Sequence, residues 1–273
     1  MLRLKIYTYC RYLFRLCVAC IKVFFACLIN PRKLYGLIFS FCTAMNESYR
    51  DSYGQLECFE KTQTFERLKK DLFFAKCNYF SFDPKVMHPI ENTYISTLVS
   101  LLNPEKVFEI GTYSGFTTLH FACNSAENAT VYTLDLPAVY ELDCENKNKS
   151  SKYSYDDMMV VELSKKNHGN RIFNKSPYKE KIVELFGDSM HFDFSSYHGE
   201  IDMIFIDGSH AYDYVKSDTE NAFKMLSKNG IIIWHDFDYI FHREIFKYLN
   251  HLGQKYKIYS IPNTRFAIYG ESL

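Results

Sequence analysis

The sequence contains little glycine, proline or tryptophan: 11 glycines, 7 prolines and a single tryptophan among 273 residues. Hydrophobic residues make up 47% and charged residues 23%, close to the averages for globular proteins. This composition excludes collagen-like, low-complexity and strongly disordered chains. The length allows one large domain or two small ones.

Acidic residues are absent from the beginning of the chain. Residues 1–46, called here the basic head, contain no Asp or Glu and seven basic residues: Arg3, Lys5, Arg11, Arg15, Lys22, Arg32 and Lys33. Since the whole chain has 32 basic and 32 acidic residues, residues 47–273 keep 25 basic and 32 acidic residues, a net charge of −7. An acidic body does not attract a polyanion, so we predict no nucleic-acid partner.

Disulfide-type cysteine spacing is also absent. Five of the nine cysteines lie in the basic head, and the odd total in a chain of this size favours a reducing compartment. Cys17 and Cys20 form one Cys-x-x-Cys pair, but the sequence offers no second pair and no nearby histidine for a metal or redox site. We therefore predict a cytoplasmic protein.

The basic head lacks an apolar run of the ~20 residues that a membrane span needs. Its run 16–29 is interrupted by Lys22. On a helix with about 100° per residue, Arg11, Arg15 and Lys22 form a narrow basic stripe opposite apolar residues. This pattern favours a helix at the membrane surface, so we predict that residues 1–33 attach the protein to the inner face of the membrane.

The sequence leaves other interpretations of the basic head open. They are a helix packed on the body, a helix packed on a second subunit of a homo-oligomer, and a membrane-spanning or targeting segment. A signal peptide fits poorly, because the basic residues are scattered through the apolar run instead of preceding it. Residues 47–84 are predicted as a helical lead-in, and the polar stretch 46–54 marks the boundary.

The body alternates short apolar runs with longer amphipathic stretches from about residue 85. Five runs are near-continuously apolar: residues 106–110, 130–134, 181–186, 201–206 and 230–234. Such runs, separated by helices, are typical of a parallel sheet buried on both faces. Residues 257–261 and 265–269 flank a turn and predict a carboxyl-terminal antiparallel hairpin. The predicted fold class is α/β, a doubly wound Rossmann-like, mostly parallel sheet of seven strands.

Polar residues end five successive predicted strands, where ligands bind in a doubly wound sheet. The first strand runs into the glycine turn, residues 111–115, and then a helix whose amino terminus offers free N–H groups. Asp135 ends the second strand, where a carboxylate can accept hydrogen bonds from ribose hydroxyls. The other ends are 187–189, 207–210 and 235–236. A single such aspartate is as consistent with a helix cap, but five polar strand ends indicate a binding site.

Together these residues resemble the class I S-adenosylmethionine-dependent methyltransferases over residues 85–270. The part from 187 to 236 resembles a bacterial subgroup of sugar and small-molecule O-methyltransferases. The resemblance implies that the strand ends bind S-adenosylmethionine: Glu109, Gly111, Thr112, Ser114 and Gly115 at its methionine portion, Asp135 and Leu136 at its ribose, Asp188 and Ser189 at its adenine, and Asp207 beside it. It also implies a methyltransferase domain at residues 85–273.

The fourth strand end indicates the type of acceptor. Methyltransferases of nucleic-acid bases carry an Asn/Asp-Pro-Pro-Tyr/Phe motif there, whereas this chain has Ile-Asp-Gly-Ser-His at 206–210. A carboxylate and an imidazole suit the activation of a hydroxyl. We therefore predict Asp207 and His210 as catalytic residues, with His210 as the general base. The alternative for His210 is a helix cap.

A divalent metal such as Mg²⁺ is a second cofactor for which the sequence leaves two alternatives. The resemblance places metal-binding carboxylates at the ends of the fourth and fifth strands, where Asp207 and Asp236 stand. His235 occupies a position that is usually acidic in metal-dependent relatives, and Mg²⁺ prefers oxygen ligands. The site therefore either holds a metal through Asp207, Asp236 and His235, or is metal-free with His235 positioning the substrate.

The predicted reaction is methyl transfer to a hydroxyl of a sugar, a lipid-linked glycan precursor or another small molecule. The long connection 136–177, with His168 and Arg171, is either a specificity segment or an unstructured connection. The rival functions are a non-catalytic membrane-associated adaptor that keeps a methyltransferase fold, and a nucleotide-cofactor oxidoreductase. The second rival is disfavoured because Tyr113 replaces the middle glycine of the dinucleotide motif.

Overall fold

The computed structural model describes residues 56–58, 63–64, 75–76, 79, 86–140, 155–271 and 273. The chain divides into two compact units between Ser52 and Tyr53, and all described residues belong to the second unit. The basic head lies outside the described residues, so its surface helix and membrane attachment stay predictions. Among the described helices, none combines the length and hydrophobicity that a membrane span requires.

The described part of the chain contains eight strands and five helices longer than one turn, numbered here in chain order. The strands are β1 (Glu57–Cys58), β2 (Lys106–Ile110), β3 (Thr130–Asp135), β4 (Ile182–Phe186), β5 (Ile201–Ile206), β6 (Leu226–Trp234), β7 (Ile258–Ser260) and β8 (Ala267–Gly270). The helices are α1 (Pro89–Leu102), α2 (Phe116–Asn124), α3 (Tyr155–Asn167), α4 (Tyr212–Met225) and α5 (Arg243–Leu252). The seven predicted strands, β2 to β8, are therefore all present.

The strands form one sheet in the order β1-β7-β8-β6-β5-β2-β3-β4, in which β8 alone runs antiparallel to the others. This confirms the doubly wound, mostly parallel α/β sheet with a carboxyl-terminal hairpin. β8 lies inside the sheet between β6 and β7. The sequence analysis did not predict β1, a two-residue edge strand that comes from the lead-in, residues 47–84.

Apolar residues cover both faces of the central strands. Val107 and Phe108 are consecutive in β2, so their side chains point to opposite faces, and neither has any exposed surface. Val107 belongs to a core that also contains Ile95 of α1 and Leu119 of α2. Helix α4 packs on β5 and β6. Burial on both faces explains why these strands appear as near-continuous apolar runs.

Helix α1 begins at a capping box that later matters for the site. The His88 side chain accepts a hydrogen bond from the Ile90 amide at 3.3 Å, and Glu91 accepts one from the His88 amide at 3.2 Å. Asn103 ends the helix in the left-handed region, with φ 48°. The capping box fixes Glu91 at the amino-terminal end of α1.

The strand order reverses between β2 and β5, which lie side by side in the sheet. From β2 the chain continues outward to β3 and β4, and from β5 it continues to β6 on the other side. Ligands of doubly wound sheets bind beyond the carboxyl ends of the strands at such a switch point. Here the Asp207 amide donates to the Ile110 carbonyl at 2.9 Å, which ties the two strand ends together.

Candidate active site

The predicted site residues lie at one end of the sheet. Glu109 is in β2 near its carboxyl end, and the others lie at or just beyond the carboxyl ends of β2 to β6. The glycine turn follows β2, Asp135 ends β3, Asp188 follows β4, Asp207 follows β5, and residues 235–236 follow β6. Because these strands are parallel, their carboxyl ends meet along one edge of the sheet. The structure thus brings the predicted residues to a single edge, with the switch point in its middle.

Both glycines of the glycine turn are required by its geometry. Gly111 has a φ of +100°, and a Cβ at this position would lie 2.1 Å from the carbonyl oxygen of Asp207. Gly115 has a φ of +77°, and a Cβ there would lie 2.4 Å from Cδ1 of Phe173. Only glycine adopts such angles freely and permits such close approach. The turn therefore presses the backbone after β2 against the backbone after β5.

Glu109 of β2 is completely buried. Its Oε2 accepts hydrogen bonds from the hydroxyls of Thr118 and Thr133, and the Thr112 hydroxyl lies 2.6 Å from that of Thr133. Burial raises the pKa of Glu109 to about 8, against the opposing effect of the two hydroxyls. Within the described part of the chain, Glu109 Oε1 and the Ser114 hydroxyl have no hydrogen-bond partner. Two buried polar atoms beside the glycine turn are thus left for a ligand.

Asp135 is held by Arg171, which the sequence analysis named in the connection 136–177 without predicting this contact. Arg171 Nη2 donates to Asp135 Oδ2 at 2.8 Å, and the Ser164 hydroxyl donates to the same oxygen at 2.6 Å. The Leu136 amide donates to Oδ1 at 2.9 Å. The side chain of Asp135 keeps 13% of its surface exposed, whereas that of Arg171 keeps none. Arg171 therefore fixes the carboxylate from inside the protein.

Arg171 also connects the glycine turn to the edge strand β4. Its Nε donates to Glu184 Oε1 at 2.8 Å, and its Nη1 donates to the carbonyl of Tyr113. The amide of the next residue, Ile172, donates to the Ser114 carbonyl at 2.9 Å. A signal for this role was present in the sequence: Glu184 is an acidic residue in a predicted buried strand, and such a residue needs a cationic partner.

Asp188 is surrounded by donors. Its Oδ2 accepts from the hydroxyls of Tyr140 and Tyr214 at 3.0 and 3.1 Å and lies 3.1 Å from Nδ1 of His191. Burial acts to raise the pKa of Asp188, but these hydrogen bonds outweigh it and keep the pKa below its usual range. Ser189, the next predicted residue, is buried beside it. Asp188 is therefore an ionised acceptor at the edge of the site.

His210 and Asp236 form a hydrogen-bonded pair between the ends of β5 and β6. Nε2 of His210 lies 2.9 Å from Oδ2 of Asp236. Asp236 has a φ of +56°, an uncommon backbone conformation for a residue other than glycine, and such strain is often concentrated at functional sites. The ring of His242 packs 4.4 Å from that of His210, centroid to centroid. The carboxylate therefore fixes the orientation of the imidazole.

His235 lies between two carboxylates. Its Nδ1 is 2.9 Å from Asp207 Oδ1, and its Nε2 is 3.3 Å from Glu91 Oε2. Burial acts to lower the pKa of His235, but the carboxylates of Asp236, Asp207 and Glu91 raise it well above its usual range. Nδ1 thus faces a carboxylate, and Nε2 lies 3.3 Å both from Glu91 Oε2 and from Arg265 Nη2.

Arg265, just before β8, completes this group of charges. Its Nη1 donates to Asp236 Oδ1 at 2.6 Å, its Nη2 donates to Glu91 Oε2 at 3.2 Å, and its amide donates to Glu91 Oε1 at 2.8 Å. Burial acts to raise the pKa of Glu91, but Arg265 and His235 hold it well below the usual range. We call Glu91, Asp207, His235, Asp236 and Arg265 the ionic cluster. The sequence analysis missed Glu91 and Arg265.

The residues predicted to bind a metal do not fit Mg²⁺. Ligand atoms of Asp207, His235 and Asp236 lie within 4.8 Å of one another, as do those of His210, Asp236 and His242. However, both oxygens of Asp236 already accept from cationic or imidazole groups, and His235 contacts a carboxylate through each nitrogen. Mg²⁺ requires oxygen ligands that are free to coordinate it.

Comparisons with known proteins match part of the chain to methyltransferases. Residues 108–237 match the family model described as a methyltransferase domain. A probable caffeoyl-CoA O-methyltransferase 3 of Dictyostelium discoideum is 25% identical over 172 residues, which are 63% of this chain and 59% of that protein. The chain thus spans less than two thirds of this relative's length. These findings support neither the adaptor nor the oxidoreductase.

Two solved methyltransferase structures match part of the chain. The O-methyltransferase TomG of Streptomyces achromogenes, involved in tomaymycin synthesis and solved with SAM, is 10% identical with a TM-score of 0.47, covering 68% of this chain and 81% of that one. The SAH-bound methyltransferase PaMTH1 of Podospora anserina is 16% identical with a TM-score of 0.46, covering 77% and 97%. The family match over residues 108–237 and the sheet topology lead to one conclusion: this part of the chain is similar to the class I S-adenosylmethionine-dependent methyltransferases, as the sequence predicted.

Proposed function

We propose that the protein transfers the methyl group of S-adenosylmethionine to a hydroxyl of a small-molecule acceptor. The observation that carries this proposal is the His210–Asp236 pair, 2.9 Å apart, at the edge that also holds the glycine turn. An imidazole oriented by a carboxylate is a common arrangement for a general base. Asp207, with 28% of its side chain exposed, is the carboxylate beside it that is open to an acceptor.

The cofactor side of the edge has residues suited to each part of S-adenosylmethionine. Glu109 Oε1 and the Ser114 hydroxyl offer polar atoms for the methionine portion at the turn formed by Gly111, Thr112 and Gly115. Asp135, beside Leu136, keeps lone pairs on a carboxylate that Arg171 holds in place for the ribose hydroxyls. Asp188 and Ser189 lie at the next strand end, for the adenine.

The chemistry needs a base because an alcohol is a weak nucleophile. When bound, S-adenosylmethionine supplies a methyl group on a positively charged sulfur. We assign the imidazole of His210, which Asp236 contacts at Nε2, as the base that accepts the proton of the acceptor hydroxyl. The O–CH₃ bond forms as the S–CH₃ bond breaks, and the proton passes to His210. General-base catalysis of this kind contributes about 10²–10⁴-fold in rate.

The acceptor is proposed as a sugar, a lipid-linked glycan precursor or another hydroxylated metabolite. The relative from Dictyostelium is named for a caffeoyl-CoA acceptor, which supports a small molecule with a hydroxyl. The acidic body, with a net charge of −7 over residues 47–273, gives no attraction for a nucleic acid.

The basic head is proposed to act in location and not in chemistry. Its seven basic residues suit attachment to an anionic membrane surface, and a second copy of the chain is the alternative partner. Removal of residues 1–46 should release the protein from vesicles that contain anionic lipid and leave cofactor binding unchanged. Retained vesicle binding by the shortened chain contradicts this assignment.

The proposed function is tested in two steps. Isothermal titration of the purified protein with S-adenosylmethionine should show 1:1 binding that Asp135→Ala weakens. Release of S-adenosylhomocysteine is then measured across a panel of hydroxylated sugars, lipid-linked sugars and phenolic acceptors, with His210→Gln as the inactive control. No binding of S-adenosylmethionine, or equal turnover by His210→Gln, refutes the proposal.

A further inference from the structure

We propose that Arg265 and His235 replace a divalent metal in this active site, so that the protein binds no metal beside its acceptor. The inference rests on the proposed function for its catalytic meaning. The metal-binding test, however, needs no acceptor and no turnover. The argument comes from the ionic cluster defined above.

Asp236 is the first member that a metal would require. Arg265 Nη1 donates to its Oδ1 at 2.6 Å, and His210 Nε2 lies 2.9 Å from its Oδ2. Only 8% of the Asp236 side chain is exposed, so neither oxygen has free access to water. A metal would have to displace Arg265, His210 or both before it could bind Asp236.

Arg265 is positioned to stay where it is. Its backbone amide and its guanidinium both donate to Glu91, which the capping box of α1 holds in place. The side chain of Arg265 is 17% exposed and that of Glu91 only 4%. An arginine keeps its positive charge at every pH at which proteins are folded. The charge beside Asp236 is therefore permanent.

His235 occupies the second position that a metal would need. Asp207 Oδ1 lies 2.9 Å from its Nδ1, and both Glu91 Oε2 and Arg265 Nη2 lie 3.3 Å from its Nε2. Each ring nitrogen thus already has a hydrogen-bonding partner, and a metal would have to displace one of these partners before it could bind the ring.

The charges of the ionic cluster leave little attraction for a dication. Three carboxylates (Glu91, Asp207 and Asp236) face the guanidinium of Arg265 and the ring of His235 at distances between 2.6 and 3.3 Å. A divalent ion bound to Asp236 would be placed within a few ångströms of the Arg265 guanidinium, which would repel it. In this arrangement Asp207 contacts the acceptor hydroxyl itself, and the acceptor needs no second oxygen with which to chelate a metal.

The test measures Mn²⁺ binding to the full-length protein, because free Mn²⁺ gives an electron paramagnetic resonance signal that is lost on binding. We expect the wild-type protein and Asp236→Asn to leave the same amount of Mn²⁺ free in solution. The double variant Arg265→Gln/His235→Asp removes the guanidinium and the imidazole and introduces a carboxylate. It should therefore bind Mn²⁺ at least tenfold more tightly than the wild-type protein. Arg265→Lys keeps the charge and is the matched control that should show no gain.

Each outcome decides the proposal. Stoichiometric Mn²⁺ binding by wild-type protein that Asp236→Asn abolishes overturns it. So does a double variant that still binds S-adenosylmethionine but gains no Mn²⁺ affinity. Should the double variant fail to fold, single Arg265→Gln takes its place, and a tenfold gain or its absence decides. Failure of the wild-type protein to bind S-adenosylmethionine in the same samples would refute the proposed function separately.

Discussion

Arg171 and Asp135 form a buried ion pair, with Nη2 of the arginine 2.8 Å from Oδ2 of the aspartate. The aspartate ends β3, and the arginine lies beyond α3 in the long connection that follows. The pair therefore links the proposed ribose-binding carboxylate to the connection 136–177. Because Arg171 also donates to Tyr113 and Glu184, one side chain holds the glycine turn, the end of β3 and β4 together.

Arg171→Met should destabilise the protein and weaken cofactor binding. Removing one partner of a buried ion pair leaves an uncompensated charge and costs about 3–5 kcal/mol. We expect a loss of this size in the free energy of unfolding, measured by urea denaturation, and a higher Kd for S-adenosylmethionine. Lys175→Met, an exposed position nearby, should change stability by less than about 0.5 kcal/mol. Equal stability of the two variants contradicts the role assigned to Arg171.

His210→Gln should separate binding from turnover. The glutamine keeps a polar side chain but cannot accept the hydroxyl proton, so we expect kcat to fall about 10²–10⁴-fold with an unchanged Kd for S-adenosylmethionine. Asp236→Asn should reduce kcat in the same direction, since it no longer orients a protonated ring. The exposed His198→Gln is the control and should keep wild-type kcat. A Kd that rises in parallel with the loss of kcat would point to a structural role instead.

Gly111→Ala should destabilise the folded protein much more than Gly199→Ala, although both glycines have a positive φ. Gly199 has a φ of +72° and open space around its Cβ position, so alanine there costs the strain of a left-handed residue, about 1–2 kcal/mol. At Gly111 the new Cβ also meets the Asp207 carbonyl, which adds about 1–3 kcal/mol of overpacking. Thermal denaturation of both variants measures the difference, and equal melting temperatures contradict the close approach.

Glu109→Gln should flatten the pH dependence of stability. The folded-state pKa of Glu109 is raised to about 8, so its contribution to the free energy of unfolding is full below the unfolded pKa of 4.5 and is lost as pH rises through 8. Between pH 5 and pH 9 the free energy of unfolding should therefore fall by on the order of 4 kcal/mol more in the wild-type protein than in the variant. Urea denaturation at both pH values measures this. If the stability of both proteins changes equally with pH, the carboxyl group is already ionised in the folded protein at neutral pH, and the prediction is wrong.

The sequence could predict the sheet wherever apolar runs are continuous. β2 and β5 match their predicted residues, because both are buried on both faces. β6 begins at Leu226 although Ser227, Lys228 and Asn229, which follow it, are polar. The Ser227 hydroxyl there donates to Asp202 at 3.1 Å, a contact with another part of the chain that local hydropathy does not contain.

The site could be predicted only where strand ends mark it. Asp207 and Asp236 follow apolar runs and could be placed at one edge from the sequence. Glu91 and Arg265 could not, because they are 174 positions apart and meet only when the hairpin of β7 and β8 folds against the amino-terminal end of α1. The conversion of a suspected metal position into an ionic cluster depends on this long-range contact.

The close approach of Gly111 to the Asp207 carbonyl has a consequence for how new acceptors arise. It joins the ends of β2 and β5 through main-chain atoms, which leaves little freedom in the spacing between the residues that follow these two strands. Under the proposed function, mutations in the peripheral connections can therefore change the acceptor side while the spacing between these strand ends stays constant. A fold whose strand ends are held this closely can accept a different substrate while the residues proposed for methyl transfer keep their relative positions.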